Sequence, residues 1–184
     1  MAQVKGVAVI ASIRFVREKY GDEAIGRVLA ALPGEDREAI GPNPLVSSWY
    51  PMPAFLHFMQ EAEKQLGEQD PKLVRNMGRA SADYGITTIY KIFFKVGSPE
   101  FIIGKATRVF GRYYDTGEIV PVESAPGHAV FDIKDFEGAP QFCARIRGWM
   151  ERTVELAGAK NLRSAHSQCV HRGDAVCRFE GTWD

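Results

Sequence analysis

The residues with the clearest potential for chemistry are three cysteines and two histidines in the C-terminal third of the chain. Cys169, Cys177, His166 and His171 lie near the C-terminal end, and Cys143 lies upstream of them. Thiolate and imidazole groups suit Zn²⁺, and a structural zinc site usually has four such ligands. The residue types therefore predict a candidate metal site formed by Cys143, His166, Cys169 and Cys177.

The residues alone leave two alternatives to this ligand set open. Free cysteines are also common core residues, so all three cysteines could simply be buried. In a regular strand, His166 and Cys169 point to opposite faces, whereas Cys169 and His171 share a face. His171 is therefore a rival ligand, and a role for His166 requires a bulge or a strand end near residues 167–168.

The elements that must position these residues are two hairpins and a long helix. Alternating apolar and polar residues predict one hairpin over 117–136 and a second over 161–182. Apolar residues at helical spacing predict a helix over 141–157 between them. Cys143 lies on this helix and the other candidate ligands lie on the second hairpin. A metal bound by all four would connect elements that meet only through tertiary packing, and it would stabilise the folded chain.

The N-terminal part of the chain is predicted to be mostly helical. Segment 41–53 holds four of the ten prolines and is predicted to be extended or turned. Segment 86–96 has the β-branched and aromatic content of a strand but fits helical spacing, and we interpret it as a helix. Apolar residues at helical spacing, separated by Gly or Pro, predict the other helices at 4–20, 22–32, 54–66, 71–84 and 101–114.

This order of elements predicts the α+β fold class. The helix-rich N-terminal part would pack on an antiparallel sheet made of two hairpins that flank a long helix. With 184 residues, the chain is long enough for a single domain with a substantial core. We expect one domain over 1–184, with 1–116 mostly helical and 117–184 in the order β-β-α-β-β.

Composition and charge exclude several classes of function. The 23 Lys and Arg residues balance the 23 Asp and Glu residues, so the chain lacks the basic excess of a nucleic-acid-binding protein. No apolar stretch approaches the roughly 20 residues that a membrane span needs. Arg14 and Arg17 follow the apolar run at 7–13, where an export signal would place small residues. Three cysteines are an odd number, typical of free thiols in a reducing compartment, so we expect a cytoplasmic location.

The C-terminal end of the chain resembles 4-vinyl-reductase-type domains. The resemblance lies in the run CVHRGDAVCRFE at 169–180, in Trp183 and in CARIRGW at 143–149. These small-molecule-binding domains share their fold with haem-NO-binding sensors and with subunits of the Golgi transport particle (TRAPP). In the phenol-sensing members, a helix cysteine, an acidic residue and two further cysteines bind zinc. The resemblance implies a structural zinc ion here, with His166 in the place of the acidic residue.

The chain as a whole resembles a narrower bacterial family, met mostly in myxobacteria. The matching motifs run nearly from end to end, which supports the fold but implies no particular activity. They are KG at 5–6, RFV at 14–16, SWYP at 48–51, GSPEF at 97–101, RYYD at 112–115, RGW at 147–149 and ELAGAK at 155–160.

The resemblance implies a non-enzymatic ligand-binding or regulatory domain of the sensor type, with a pocket between the sheet and the central helices. An apolar, aromatic pocket suits a small apolar or aromatic molecule. The same side chains could instead fill one another's space. The walls of the pocket are expected from Ile89, Tyr90, Phe93, Phe94, Phe101, Val109, Phe110 and Trp149.

Two other functions remain open. The transport-particle resemblance implies a scaffold protein, so we also expect a protein partner or a homodimer. A reductase-type enzyme subunit is the third alternative, but the sequence has no dinucleotide fingerprint, no G-x-S-x-G motif and no P-loop, and we assign no catalytic residue.

Haem is not expected, because His57 and His128 are the only histidines outside the C-terminal segment.

Overall fold

The structure, a computed structural model, describes residues 1–85, 98–136 and 138–184. The helix predicted over 86–96 lies outside these residues. The helices and strands described below follow the predicted order closely, and the differences occur where glycine residues and short segments weaken the local pattern.

The N-terminal part combines helices with a small two-stranded sheet. Strand β1 (Gln3–Lys5) pairs antiparallel with β2 (Trp49–Pro51), so the proline-rich segment returns to the start of the chain. The helices described in this part are α1 (Gly6–Ala30), α2 (Gly34–Ile40), α3 (Met52–Leu66), α4 (Leu73–Gly85), α5 (Pro99–Ile103) and α6 (Ala106–Tyr113). No helix in the described part of the chain has both the length and the apolar character needed to cross a membrane.

Three details of these helices differ from the prediction. Gly21 has φ 88° and ψ 170° inside α1, so the two predicted helices form one element that kinks at the predicted boundary. Helix α2 was not predicted, because its seven residues are too few to show a helical period. The helix predicted over 101–114 is divided into α5 and α6 at Gly104 and Lys105, where glycine lowers the helical propensity.

The C-terminal part forms an antiparallel sheet and one long helix, which confirms the predicted fold class. The helix, α7 (Pro140–Leu156), connects the two hairpins. The strands lie in the order β3-β4-β6-β5. They are β3 (Glu118–Ala125), β4 (His128–Lys134), β5 (Arg163–Gln168) and β6 (Cys177–Thr182).

Helices α4 and α7 approach each other closely because each presents a glycine to the other. A Cβ atom added to Gly78 would lie 1.9 Å from the carbonyl oxygen of Arg145, and one added to Gly148 would lie 1.9 Å from that of Arg75. Arg75 also donates two hydrogen bonds, of 2.7 and 2.8 Å, to the buried carboxylate of Glu151. This contact brings α7 into the core, and α7 carries residues of both candidate sites.

Arg145 is a charged side chain at the centre of this core. It is fully buried. It donates hydrogen bonds of 2.7 Å to the hydroxyls of Tyr114 and Ser81, and its guanidinium lies 5.1 Å from the ring centroid of Phe55. Burial raises the pKa of Tyr114 although the Arg145 charge opposes this, so the phenol stays neutral and accepts the hydrogen bond. These contacts join α7 to α3, α4 and the residue that follows α6.

Candidate functional site

The structure brings the four predicted metal ligands together. Cys143 comes from the first turn of α7, His166 from β5, Cys169 from the residue after β5 and Cys177 from the start of β6. One potential ligand atom from each residue lies within 4.8 Å of the others. All three cysteines are buried free thiols. We call these four residues the cysteine–histidine cluster.

The spacing of the thiols matches that of ligands around one ion. The Sγ atom of Cys143 lies 3.6 Å from that of Cys177 and 4.0 Å from that of Cys169, and the third Sγ–Sγ distance is 4.0 Å. Tetrahedral zinc with Zn–S bonds of about 2.3 Å separates its sulfur ligands by about 3.8 Å. A single zinc ion therefore requires little displacement of these side chains.

A bulge in β5 brings His166 to the same site as Cys169. His166 lies opposite Phe179 on β6, while Gln168 lies opposite the next residue, Arg178, so the register shifts between them. Cys169 then leaves the strand, and its amide donates a 2.7 Å hydrogen bond to the carboxylate of Asp174. The irregularity that the sequence required near 167–168 is confirmed.

His171, the rival ligand, is outside the cysteine–histidine cluster. It lies on the short 3₁₀ turn Val170–Arg172 that follows Cys169. Its side chain is exposed, whereas the three thiols are buried. The geometry therefore favours His166 over His171.

The electrostatics of the cluster favour a neutral imidazole. Burial first, and then the positive charges of Arg172 and Arg147, lower the pKa of His166 to about 4. Its buried Nε2 atom has no hydrogen-bond partner among the described residues. A neutral ring with an unpaired nitrogen is the form of histidine that binds a metal.

Two of the thiols, those of Cys143 and Cys177, are poor nucleophiles without a cation. Burial, followed by the neighbouring thiols, raises the pKa of Cys143, and burial also raises the pKa of Cys177. A reactive cysteine needs a lowered pKa, so the structure gives no support to a reactive-thiol role. A divalent cation would reverse this balance, because it stabilises bound thiolates.

A second feature is an apolar cavity of about 310 Å³ between α5, α6, the sheet and α7. Of the predicted pocket residues, Phe101, Val109 and Trp149 line it. The apolar residues that line it but were missing from the prediction are Ala82, Ile102, Ile103, Ala106, Ile119, Phe131, Met150 and Val154. The helical spacing of Met150 and Val154 was visible in the sequence, but Phe131 reaches the cavity from β4, and only tertiary packing reveals that.

Phe110, another predicted pocket residue, does not line this cavity. Phe110 is buried elsewhere, with its ring centroid 4.7 Å from that of Tyr114 and 6.0 Å from that of Phe136. Ile89, Tyr90, Phe93 and Phe94 lie outside the described residues.

The cavity wall also contains polar groups. Trp149 and Thr153 line it from α7, and their Nε1 and Oγ1 atoms are buried without a hydrogen-bond partner among the described residues. Lys105, Arg108 and Arg112 line it with exposed side chains. The cavity is thus apolar on most of its surface, and its lining includes the two unpartnered polar atoms and three exposed cations.

Comparisons with known proteins identify the fold. No protein-family model and no curated protein sequence matches the chain. Among solved structures, it is similar to an H-NOX protein from S. oneidensis in the Fe(II)NO ligation state, with 13% identity, a TM-score of 0.76 and coverage of 98% of this chain and 99% of that one. It is similar to an oxygen-binding H-NOX domain related to soluble guanylate cyclases, with 10% identity, a TM-score of 0.71 and coverage of 98% and 95%.

The chain is also similar to a protein studied for the modulation of haem redox potential through protein-induced porphyrin distortion. The identity is 11%, the TM-score is 0.70, and the match covers 97% of this chain and 99% of that one. At these identities the likeness shows the fold alone. The chain has the H-NOX fold, which confirms the haem-NO-binding fold expected from the sequence. The finer resemblances to 4-vinyl reductases, transport-particle subunits and a myxobacterial family stay predictions, as do a homodimer and a cytoplasmic location.

The comparisons correct the expectation against haem. That expectation rests on where the histidines lie in the sequence and does not consider the fold. Solved structures with the same fold include Fe(II) H-NOX proteins and a protein studied for its haem redox potential. The inference against haem is therefore wrong.

Proposed function

We propose that this chain is a ligand-binding domain of the sensor type, whose cavity holds a small apolar or aromatic molecule. The observation that carries the proposal is the cavity of about 310 Å³ with its largely apolar wall. Ligand pockets typically have volumes from about 300 to 1,000 Å³ and are lined by hydrophobic side chains with a few polar groups.

Haem is a second candidate occupant, and the H-NOX fold favours it. Haem requires an apolar cavity and an axial ligand to its iron. Among the described residues that line the cavity, Tyr113 and Met150 belong to types that ligate haem iron, and none is a histidine or a cysteine. One of these two side chains would hold a haem in this cavity. The bound iron would supply a site for a diatomic gas, as the structures with NO and oxygen illustrate.

The cysteine–histidine cluster supports a structural zinc ion as part of the same proposal. Its three Sγ–Sγ distances of 3.6 to 4.0 Å, its buried thiols and its unpartnered imidazole nitrogen suit four-coordinate zinc. Zinc bound here would link α7 to β5 and β6. Since α7 also forms one wall of the cavity, the metal would hold that wall against the sheet.

Ligand titration tests the cavity proposal. The purified chain is titrated with N-phenyl-1-naphthylamine, an apolar fluorescent probe, and separately with hemin, whose binding is followed by the porphyrin absorption band. Val154→Phe places a ring in the cavity, while Val122→Phe changes a side chain on β3 that is 51% exposed and lies outside it.

We expect saturable binding of at least one of the two probes. Val154→Phe should weaken it by about tenfold or more, since the added ring occupies ligand volume, and Val122→Phe should leave it unchanged. Hemin binding that Met150→Leu or Tyr113→Phe abolishes would identify haem as the occupant. Absence of binding by both probes, or equal binding by the Val154 variant, would overturn the proposal.

A further inference from the structure

We infer that the occupant of the cavity is an apolar carboxylic acid, a molecule with a hydrocarbon or aromatic body and a carboxylate group. This inference rests on the proposed ligand-binding function and names the ligand class for the same cavity. Three observations support it: two buried polar atoms without partners, an excess of positive charge in the lining, and an otherwise apolar wall.

The first observation concerns α7. Trp149 and Thr153 are four positions apart, so they lie on the same side of the helix. They are 8% and 5% exposed, and both line the cavity. Neither the indole Nε1 nor the hydroxyl Oγ1 has a hydrogen-bond partner in the described part of the chain. A buried donor without an acceptor is costly, so a ligand that brings an oxygen acceptor is favoured over a plain hydrocarbon.

The second observation is the charge of the lining. Lys105, Arg108 and Arg112 line the cavity, and no Asp or Glu does so among the described residues. This bias is local, because Lys and Arg together equal Asp and Glu in the whole chain, at 23 each. None of the three cations forms a salt bridge within the described residues, although Lys105 lies 5.5 Å from the ring centroid of Phe101.

The positions of these cations make them suitable for one anionic group. Arg108 and Arg112 are four positions apart on α6, and Lys105 precedes the helix by one residue and Arg108 by three. Side chains at these spacings are neighbours on a helix surface. Arginine and lysine donate charge-assisted hydrogen bonds to carboxylates, and these are stronger than bonds between neutral groups.

The third observation excludes strongly polar anions. A hydrophobic wall is formed by Ile103, Phe131, Met150 and Val154, and inorganic phosphate or sulfate would leave it unused. A neutral hydrocarbon would use that wall but leave the Trp149 and Thr153 atoms and the cations without partners. An apolar acid is the class of molecule that matches all three parts of the lining.

The test compares two ligands of equal chain length that differ in the head group. Each ligand, decanoate or 1-decanol, is added to protein loaded with N-phenyl-1-naphthylamine at pH 8, where decanoic acid is ionised, and displacement of the probe is measured. We expect decanoate to displace the probe at a concentration about tenfold lower than 1-decanol, because only the carboxylate makes charge-assisted hydrogen bonds. The double variant Arg108→Gln, Arg112→Gln should remove most of this advantage without changing displacement by 1-decanol.

Two further variants accompany the double variant, one inside the cavity and one outside it. Thr153→Val preserves the shape of the side chain and removes its hydroxyl, and it should weaken both ligands because each carries an oxygen. Arg163→Gln removes an exposed cation on β5, outside the cavity, and should change neither.

The outcomes separate this inference from the function on which it rests. Equal displacement by decanoate and 1-decanol, or an advantage that survives the double arginine variant, would overturn the inference of an acid while the cavity remained a ligand site. Failure of the chain to bind either N-phenyl-1-naphthylamine or hemin would overturn the proposed function and the inference with it. Displacement of the probe by hemin but not by decanoate would overturn the inference alone.

Discussion

The imidazole ring of His166 lies flat on the phenyl ring of Phe179, with the ring centroids 4.3 Å apart and the planes within 1° of parallel. The two residues are directly opposite each other on β5 and β6. Cys177 lies two positions before Phe179 on the same strand. The stacking therefore orients the one imidazole of the cysteine–histidine cluster relative to its thiols, as contacts around metal ligands commonly do.

Loss of this stacking should weaken metal binding. Phe179→Leu keeps an apolar side chain but removes the flat surface beneath His166, and we expect the affinity for zinc to fall by about tenfold. Competition with a chromogenic chelator measures the affinity. Phe58→Leu is the matched control, since Phe58 is also buried but lies on α3. Equal zinc affinity in the Phe179 variant and the native chain would contradict a positioning role.

The metal ligands themselves can be distinguished by zinc content. Protein prepared without chelators should contain one zinc ion per chain, and Cys177→Ser or His166→Ala should lose it, because three ligands hold zinc far less tightly than four. His171→Ala should retain it, since His171 is exposed on the neighbouring turn. Elemental analysis measures the content. Native protein without metal, or loss of zinc in the His171 variant alone, would refute this ligand set.

The close contact between α4 and α7 should make Gly148 intolerant of any side chain. Gly148→Ala places a Cβ atom 1.9 Å from the Arg75 carbonyl oxygen, and we expect the free energy of unfolding to fall by about 1–3 kcal/mol. Gly111→Ala is the control, because a Cβ atom there meets nothing within 4 Å, and it should raise the free energy of unfolding by about 0.5–1 kcal/mol. Urea denaturation measures both. A neutral Gly148→Ala would show that the helices can separate without loss.

Acid should weaken the anchor between α1 and the start of α4. Burial alone would raise the pKa of Asp70, but hydrogen bonds from Lys19, Asn76 and the Lys72 amide lower it to about 2, from an ordinary value of 3.8. The pKa of Asp70 is lower in the folded state than in the unfolded state. The ionised Asp70 carboxylate therefore contributes fully to stability above pH 3.8, and this contribution disappears as the pH falls towards 2.

Asp70→Asn provides the comparison for this pH dependence. The difference in the free energy of unfolding between the native chain and this variant should be largest near neutral pH and should shrink between about pH 4 and pH 2. Urea denaturation at a series of pH values measures it. A difference that stays constant across this window would show that the Asp70 carboxylate contributes nothing through its charge.

Much of the fold follows from local patterns in the sequence. The hairpins at β3–β4 and β5–β6 show alternation, and α7 shows a helical period with Pro140 at its start, so both kinds of element are visible without a structure. The apolar residues keep helical spacing on both sides of Gly104, so the sequence predicts one helix where the structure has α5 and α6. Hydrophobic periodicity is assessed over a window of many residues, so it does not reveal a single residue at which a helix ends.

The sequence by itself determined which residue types the chain has available for a metal and the helix and strands on which they lie. Only the tertiary structure decided that the β5 bulge brings His166 beside the thiols. It also decided that Phe110 packs against Tyr114 and Phe136. The same holds for the cavity, which Phe131 on β4 and Trp149 on α7 line together. The physical reason is that periodicity sets the direction of a side chain on its own element. The distances between elements, and the space left among them, depend on how distant parts of the chain pack together.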